Sequence, residues 1–202
     1  MRKGLILVVS APSGAGKTSL CKRVVELFPD ICHSVSFTTR APRANEGDGI
    51  DYHFVSEEKF LEMANKNEFV EWAVVHGNRY GTAEASIRKC EDEGIDIILD
   101  IDVQGARQIR ERLGRGVYIF VLPPSPEMLE KRLRGRGTEV DDVIKKRLIN
   151  AREEIDQISN YDYIIINDQF DDAVERLRSI IVAERCNRAA ILPQIKEVWG
   201  LK

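Results

Sequence analysis

A glycine-rich segment directly after the first apolar run is the feature that most constrains the fold of this chain. Residues 5–9 are consecutive apolar residues rich in branched side chains, the pattern of a strand buried on both faces of a parallel sheet. Residues 11–18 follow with the sequence Ala-Pro-Ser-Gly-Ala-Gly-Lys-Thr, and a helical pattern begins at the lysine. A strand, a glycine loop and a helix in this order bring backbone amides and a helix N-terminus to one point. The segment predicts a phosphate-binding loop in an α/β fold.

The residue types of this loop suit a nucleoside triphosphate. Gly14 and Gly16 allow backbone N–H groups to converge on phosphate oxygens. Lys17 supplies a charge for the β and γ phosphates, and the Thr18 hydroxyl is placed to bind Mg²⁺. The general motif begins with glycine where this chain has Ala11, which we expect to be tolerated if the backbone keeps a negative φ. The predicted ATP-binding residues of the loop are Ala11, Pro12, Ser13, Gly14, Ala15, Gly16, Lys17 and Thr18.

Three later apolar runs have the same texture as the first. They occupy residues 95–101, 117–122 and 163–166, and helical periodicity separates them, which predicts βαβ units around a parallel sheet flanked by helices. Residues 34–82 instead carry short alternating runs and turn signals, which indicate a small mixed β lobe inserted into this core. Helices are expected at about residues 17–28, 56–66, 103–113, 125–135, 140–159 and 171–188.

Carboxylates stand at the end of the second buried run. Asp100 and Asp102 occupy the place where P-loop proteins carry a second acidic element, whose ligands are water-bridged Mg²⁺ or a substrate hydroxyl. Asp102 is equally well placed to cap the helix that follows, so its role stays open between cap and site. We expect Asp100 to be functional.

Composition narrows the classes of partner. The chain has 202 residues, is 43% hydrophobic and carries a net charge of only −3, which predicts a single domain without a field that attracts nucleic acid. Its four cysteines show no CxxC spacing and no histidine pairs, so no zinc site or disulfide framework is expected, and a reducing cytoplasm fits best. No apolar stretch is long enough to span a membrane. The tail after Cys186 leaves open packing on the core or self-association into a homo-oligomer.

Several further blocks, taken in order, resemble guanylate kinases. They include Ser-Val-Ser-Phe-Thr-Thr-Arg-Ala-Pro-Arg at residues 34–43 and Leu-Asp-Ile-Asp-x-Gln-Gly at residues 99–105. The other blocks are residues 46–54, 68–72, 77–82 and 132–138, and the resemblance spans about residues 5–188. It implies transfer of a phosphoryl group from MgATP to GMP, in purine nucleotide metabolism and GMP recycling. The divisions it implies are a core of residues 1–33, 83–124 and 160–202, a GMP-binding lobe of residues 34–82 and a helical lid of about residues 125–159.

The resemblance also implies a set of GMP-binding residues. Arg40, Arg43, Tyr52 and Tyr80 match the clamp on the GMP phosphate. Glu71 matches the carboxylate that accepts from the guanine N1–H and amine, with the hydroxyls of Ser36 and Thr82 beside it and Asp100 nearby. The family usually has serine where Thr82 stands, a change that keeps the hydroxyl. Without the other blocks, these arginines would be read as a solvated surface pair and Glu71 as an exposed strand carboxylate.

The arginine-rich stretch matches the lid that closes over ATP. Lys17, Arg132, Arg136 and Arg147 are the implied catalytic residues, because phosphoryl transfer depends on positioning and on neutralising developing charge. Asn167 resembles the position that contacts adenine, although a turn residue ending a strand is as good an interpretation.

Two other functions compete with this one. The first is a P-loop kinase for another monophosphate such as AMP or dTMP, against which Glu71 with Ser36 and Thr82 argues. The second is a non-catalytic guanylate-kinase-like module that binds phosphopeptides, against which the intact Gly-Lys-Thr at residues 16–18 argues.

Overall fold

The computed structural model describes residues 2–43, 45–75, 77–135 and 141–201, which form two sheets and the helices around them. The strands are β1 (Ile6–Ser10), β2 (Ile31–His33), β3 (Ser36–Thr38), β4 (Tyr52–Phe54), β5 (Phe69–Val75), β6 (Asn78–Ala83), β7 (Asp96–Asp100), β8 (Val117–Leu122) and β9 (Tyr163–Ile166). The helices are α1 (Lys17–Leu27), α2 (Glu57–Asn65), α3 (Glu84–Asp92), α4 (Val103–Leu113), α5 (Pro126–Arg134), α6 (Asp141–Ile155), α7 (Phe170–Arg185) and α8 (Arg188–Trp199).

The main sheet is parallel and has the order β2-β7-β1-β8-β9. Every residue of β1 is buried, because alternate side chains enter two different cores. Leu7 and Val9 pack with α1 and α7, whereas Ile6 and Val8 pack on the opposite face with α3 and α4. The predicted parallel sheet flanked by helices is confirmed. The sequence analysis missed β2, since three residues are too short to show a period.

The second sheet is mixed and has the order β4-β3-β6-β5. β3 pairs with β4 in parallel and with β6 antiparallel, and β5 pairs with β6 antiparallel at the edge. α2 covers this sheet by packing Phe60 and Met63 against Phe69. The expected small mixed β sheet is therefore present, and its strand β6 ends at Ala83, one residue beyond the predicted range of 34–82.

Side-chain caps begin α2, α4 and α5, among them the predicted cap of α4 at Asp102. Ser56, Asp102 and Ser125 each accept a hydrogen bond from a backbone N–H three residues later, as N-caps do. Two helices were not expected, α3 and α8, and α8 contains Pro193, which in a sequence favours a helix boundary. In the described ranges, no helix is both long and apolar enough to cross a membrane.

α5 and α6 form a helical pair beside the main sheet. Leu129 and Leu133 of α5 pack with Ile144 and Ala151 of α6. The exposed Arg134 also joins the two helices by donating to Asp141 at 2.5 Å. The connection between them, residues 136–140, lies outside the described residues.

A buried carboxylate at the start of β7 binds both the N-terminal segment and the end of α7. Asp96 is fully buried and accepts from Arg2 Nη1 at 2.5 Å, from the Leu5 backbone N–H at 2.7 Å and from Arg185 Nε at 2.7 Å. Arg185 also pairs with Asp30 at 2.9 Å. Since every oxygen of this carboxylate is paired, its charge is compensated without water.

Removal of this charge tests the network. We expect Asp96→Asn to lower the free energy of unfolding by about 2–3 kcal/mol, below the range for a fully dry pair because both arginines keep some contact with water. Urea denaturation measures it. Glu62→Gln is the matched control, because Glu62 also holds two cations, Lys59 and Lys66, but on an exposed helix surface. An equal loss of stability in the two variants would contradict the assignment.

Candidate active site

The loop of residues 11–16 connects β1 to α1 and adopts the conformation its glycines allow. Gly14 and Gly16 have φ of 94° and 91°, in the left-handed region that disfavours side chains. Among the described residues, Asn67 alone combines a side chain with a positive φ, so the expected negative φ at Ala11 is confirmed. Gly16 is the N-cap of α1 and no side chain caps that helix, which leaves its first N–H groups directed at the loop.

Lys17 and Asp100 meet at the mouth of the main sheet. Lys17 Nζ lies 2.7 Å from Asp100 Oδ1 and donates to the Ile101 backbone oxygen at 2.5 Å. Burial opposes ionisation of Asp100, but the Lys17 charge and hydrogen bonds from Lys17 and Thr18 outweigh it and lower the pKa of this carboxyl. Asp100 is therefore an anion beside the loop, next to the Thr18 hydroxyl.

Asn167 and Arg132 support the loop from behind. Asn167 is buried, and its Nδ2 donates to the Ala15 backbone oxygen at 2.7 Å. Arg132 donates to the Asn167 backbone oxygen at 2.8 Å and reaches the Ala15 oxygen at 3.5 Å. A Cβ at Gly16 would lie 2.6 Å from Asn167 Nδ2, so this packing also requires glycine there. The two side chains contact loop backbone, and their predicted contacts with ATP stay predictions.

α6 brings further polar groups over the loop. Arg147 Nη1 donates to Ser13 Oγ at 3.5 Å, whereas Arg136 lies outside the described residues. Glu154 Oε2 is buried and has no hydrogen-bond partner among the described residues. Burial, and then the charge of Asp102, raise the pKa of Glu154 to about 7. The loop, Lys17, Asp102, Arg147 and Glu154 line a cleft of about 700 Å³.

The predicted phosphate clamp is assembled around a carboxylate. Arg40 donates from Nη2 to both oxygens of Glu46, at 2.8 and 2.9 Å, and from Nε to Tyr80 Oη at 3.2 Å. Its guanidinium also lies 5.4 Å from the centre of the Tyr52 ring. Arg43 donates its backbone N–H to Glu46, but its side chain is 77% exposed. Arg40, Tyr52 and Tyr80 are thus in mutual contact, and Arg43 lies at the rim.

Glu71 is the buried carboxylate of the second sheet. Its side chain on β5 is 6% exposed, and Oε1 accepts from Thr82 Oγ1 on β6 at 2.5 Å. Burial raises the pKa of Glu71 to about 7, and the nearby Asp102 charge adds to this. The alternative interpretation of Glu71 as an exposed strand carboxylate is therefore wrong. Glu71 lines a cleft of about 250 Å³ together with Ser36, Tyr52, Tyr80 and Asp100.

The two clefts adjoin. Val75 and Asp102 line both the loop cleft and the Glu71 cleft. Asp102 also caps α4 by accepting from the Gly105 N–H at 2.8 Å. The cap interpretation of Asp102 is therefore correct, and the same residue stands at the junction of the clefts.

Sequence reasoning missed three residues of this site. Glu46 belongs to a quoted block, yet its contact with Arg40 depends on a loop fold that no spacing reveals. Glu154 stands in the last turn of a charged helix, where burial is unexpected. Gly105 lies against Glu71, a contact between α4 and β5 that has no local signal.

The oxygen donors beside the loop suit magnesium. Mg²⁺ prefers oxygen ligands, keeps several waters and takes one or two carboxylates together with substrate phosphates. The Thr18 hydroxyl and the ionised Asp100 carboxylate provide such donors. Among the described residues no group of three or more histidine, cysteine, aspartate or glutamate side chains could hold a metal ion, and a metal shared with phosphates does not need one.

Comparison with known proteins identifies the family. A sequence model of guanylate kinases matches residues 3–184. A guanylate kinase of Geobacter metallireducens is 55% identical over 99% of this chain and 98% of its own length, and one of Geobacter sulfurreducens is 51% identical over the same shares. The crystal structure of guanylate kinase from Anaplasma phagocytophilum matches with a TM-score of 0.80 and 34% identity, over 100% of this chain and 97% of that chain. The chain therefore belongs to the guanylate kinase family.

Proposed function

We propose that this protein transfers the γ-phosphoryl group of MgATP to GMP, giving ADP and GDP. The observation that carries the proposal is the meeting of two chemically different clefts at Val75 and Asp102. One cleft is lined by a phosphate-binding loop and cations, and the other contains a buried carboxylate. A donor phosphate and an acceptor nucleotide held in these adjoining clefts would be close together, and direct phosphoryl transfer requires this proximity.

The donor cleft holds ATP through backbone and cations. The loop N–H groups and Lys17 bind the β and γ phosphates, and Arg147 with Arg132 and Arg136 neutralises charge that develops during transfer. Asn167 would contact adenine while its side chain holds the loop at the Ala15 backbone oxygen. Since the GMP phosphate oxygen is already anionic at neutral pH, no general base is assigned.

Thr18 would bind Mg²⁺ directly, and Asp100 would bind it through water. The ion would supply charge neutralisation at the β and γ phosphate oxygens. Asp100 suits this role because Lys17 and Thr18 keep it ionised.

The acceptor cleft would recognise GMP by its phosphate and by its base. Arg40, Arg43, Tyr52 and Tyr80 would bind the phosphate, exchanging the Glu46 carboxylate for a dianion. Glu71 would accept from the guanine N1–H and amine, with Ser36 and Thr82 completing the contacts. Adenine presents an acceptor at N1, so an ionised Glu71 would repel it. On this basis we assign residues 34–82 to a GMP lobe, about residues 125–159 to a lid and the rest to the core.

The state of the thiols bears on the compartment in which the enzyme works. We infer that the enzyme works in a reducing cytoplasm. The support is that all four cysteines are free in this structure, although the Sγ atoms of Cys32 and Cys90 lie 3.1 Å apart.

Glu71→Gln tests the acceptor assignment. We expect kcat/KM for GMP to fall roughly 10–100-fold, since a charged acceptor for two donors is lost, while the KM for ATP stays unchanged. A coupled ADP-release assay with GMP, AMP, UMP and dTMP measures it. Activity on AMP or dTMP in the wild-type protein would show that the acceptor is wrong. A lack of activity with all four monophosphates would favour the non-catalytic module that binds phosphopeptides.

The raised pKa of Glu71 predicts a pH profile. Below a pH of about 7 the carboxyl is protonated and no longer accepts from both guanine donors. At saturating MgATP, kcat/KM for GMP should therefore rise up to tenfold per pH unit between about pH 6 and pH 7 and then level off. Glu71→Gln should remove this step and leave only the second ionisation of the GMP phosphate, near pH 6. A step that persists near pH 7 in the variant would assign it to another group, such as Glu154.

Thr18→Val tests the proposed magnesium ligand. The substitution keeps the shape and removes the hydroxyl, so the Mg²⁺ concentration for half-maximal activity should rise about tenfold or more. The KM for GMP should not change. Ser19→Ala is the matched control, because it removes the neighbouring exposed hydroxyl of the same helix. Equal Mg²⁺ requirements in the two variants would exclude Thr18 as a direct ligand.

A further inference from the structure

α4 of the core is clamped onto β5, the edge strand of the mixed sheet. Gln108 bonds the backbone of Trp72 in both directions, accepting from its N–H at 3.1 Å and donating to its oxygen at 3.0 Å. Arg112, one turn further along α4, donates to the Phe69 backbone oxygen at 2.5 Å. These contacts flank Glu71 in sequence, so α4 fixes the distance between its own axis and the strand that carries Glu71.

At this distance only a glycine fits opposite Glu71. A Cβ placed on Gly105 would lie 2.7 Å from Glu71 Oε2 and 3.2 Å from Glu71 Cδ. The first value is shorter than real Cβ contacts, so the carboxylate would have to move by about 0.7 Å to reach ordinary contact. A hydrogen bond of about 2.9 Å that lengthens by this amount is no longer a hydrogen bond.

The surroundings give little freedom to absorb the collision. Glu71 is 6% exposed, and its Oε1 is already bound by Thr82. The backbone of Gly105 is held as well, because its N–H donates to Asp102 in the α4 cap. A retreat of α4 as a whole would break both bonds between Gln108 and Trp72. The carboxylate itself is therefore the group that would be displaced.

We propose that Gly105 is a specificity-determining residue, which positions the Glu71 carboxylate for guanine by having no side chain. The inference rests on the proposed function, because it assumes that Glu71 accepts from the guanine N1–H and amine. Gly105 does not touch the substrate in this scheme and acts only through Glu71.

Gly105→Ala, with binding of GMP and AMP measured by titration calorimetry, tests the proposal. AMP keeps the ribose and phosphate but lacks the two donors that Glu71 would read. We expect the Kd for GMP to rise about tenfold or more, the loss of at least one charge-assisted hydrogen bond, while the Kd for AMP changes less than about twofold. The ratio of the Kd for AMP to the Kd for GMP should therefore fall by about the same factor. A merely structural defect would instead weaken the binding of both nucleotides equally and leave the ratio of their Kd values unchanged. That result would overturn the proposal.

Three further variants make the outcome decisive. Arg107→Ala, an exposed change on the same helix, should keep the wild-type ratio and stability. Glu71→Gln alone should lower the ratio of the Kd for AMP to the Kd for GMP. Adding Gly105→Ala to Glu71→Gln should change this ratio little further, because both substitutions act on one carboxylate. Additive losses in the double variant would overturn the proposal. If Glu71→Gln leaves the Kd ratio unchanged, the assignment of Glu71 as the guanine acceptor is wrong. If Glu71→Gln lowers the ratio and Gly105→Ala does not, only the proposed role of Gly105 is wrong.

Discussion

The parallel pairing of β1 with β7 is the constraint on which the rest of the site depends. In this register Val9 lies opposite Asp100, so the phosphate-binding loop and the acidic strand end emerge side by side. Lys17 then bridges the two elements, and Asp102 starts α4 two residues later. Since α4 is clamped to β5, the same register also sets where Glu71 stands. One pair of core strands thus fixes both clefts.

Two carboxylates in this arrangement, the half-buried Asp100 and the buried Glu71, behave in opposite ways. The pKa of Asp100 is lowered because Lys17 and Thr18 already stabilise its charge. The pKa of Glu71 is raised to about 7 because burial dominates and its protein partner is a neutral hydroxyl. Asp100 is therefore a permanent anion, suited to a cation and its waters, whereas Glu71 lacks the strong donors that would stabilise its charge. A ligand with two N–H donors supplies that missing stabilisation.

Much of the fold could be predicted from the sequence, because its signals are local. Continuous apolar runs marked four strands of the parallel sheet, and the order strand, glycine loop, helix marked the phosphate loop. β2 was too short to show a period, and Pro193 concealed α8. Within the site, the resemblance supplied residue roles that stay predictions, and contacts such as Arg40 with Glu46 depend on loop geometry. Gly105 against Glu71 depends on the distance between two elements, which no single segment encodes.

The Glu46 carboxylate on Arg40 gives the acceptor cleft an internal competitor. A ligand that takes the Nη2 donors of Arg40 would displace the Glu46 carboxylate, which already holds two hydrogen bonds from that nitrogen. A singly charged group gains little from such an exchange, because it replaces like with like. A doubly charged phosphate gains the difference in charge. The Arg40–Glu46 ion pair would therefore favour a doubly charged phosphate over a singly charged anion at this guanidinium.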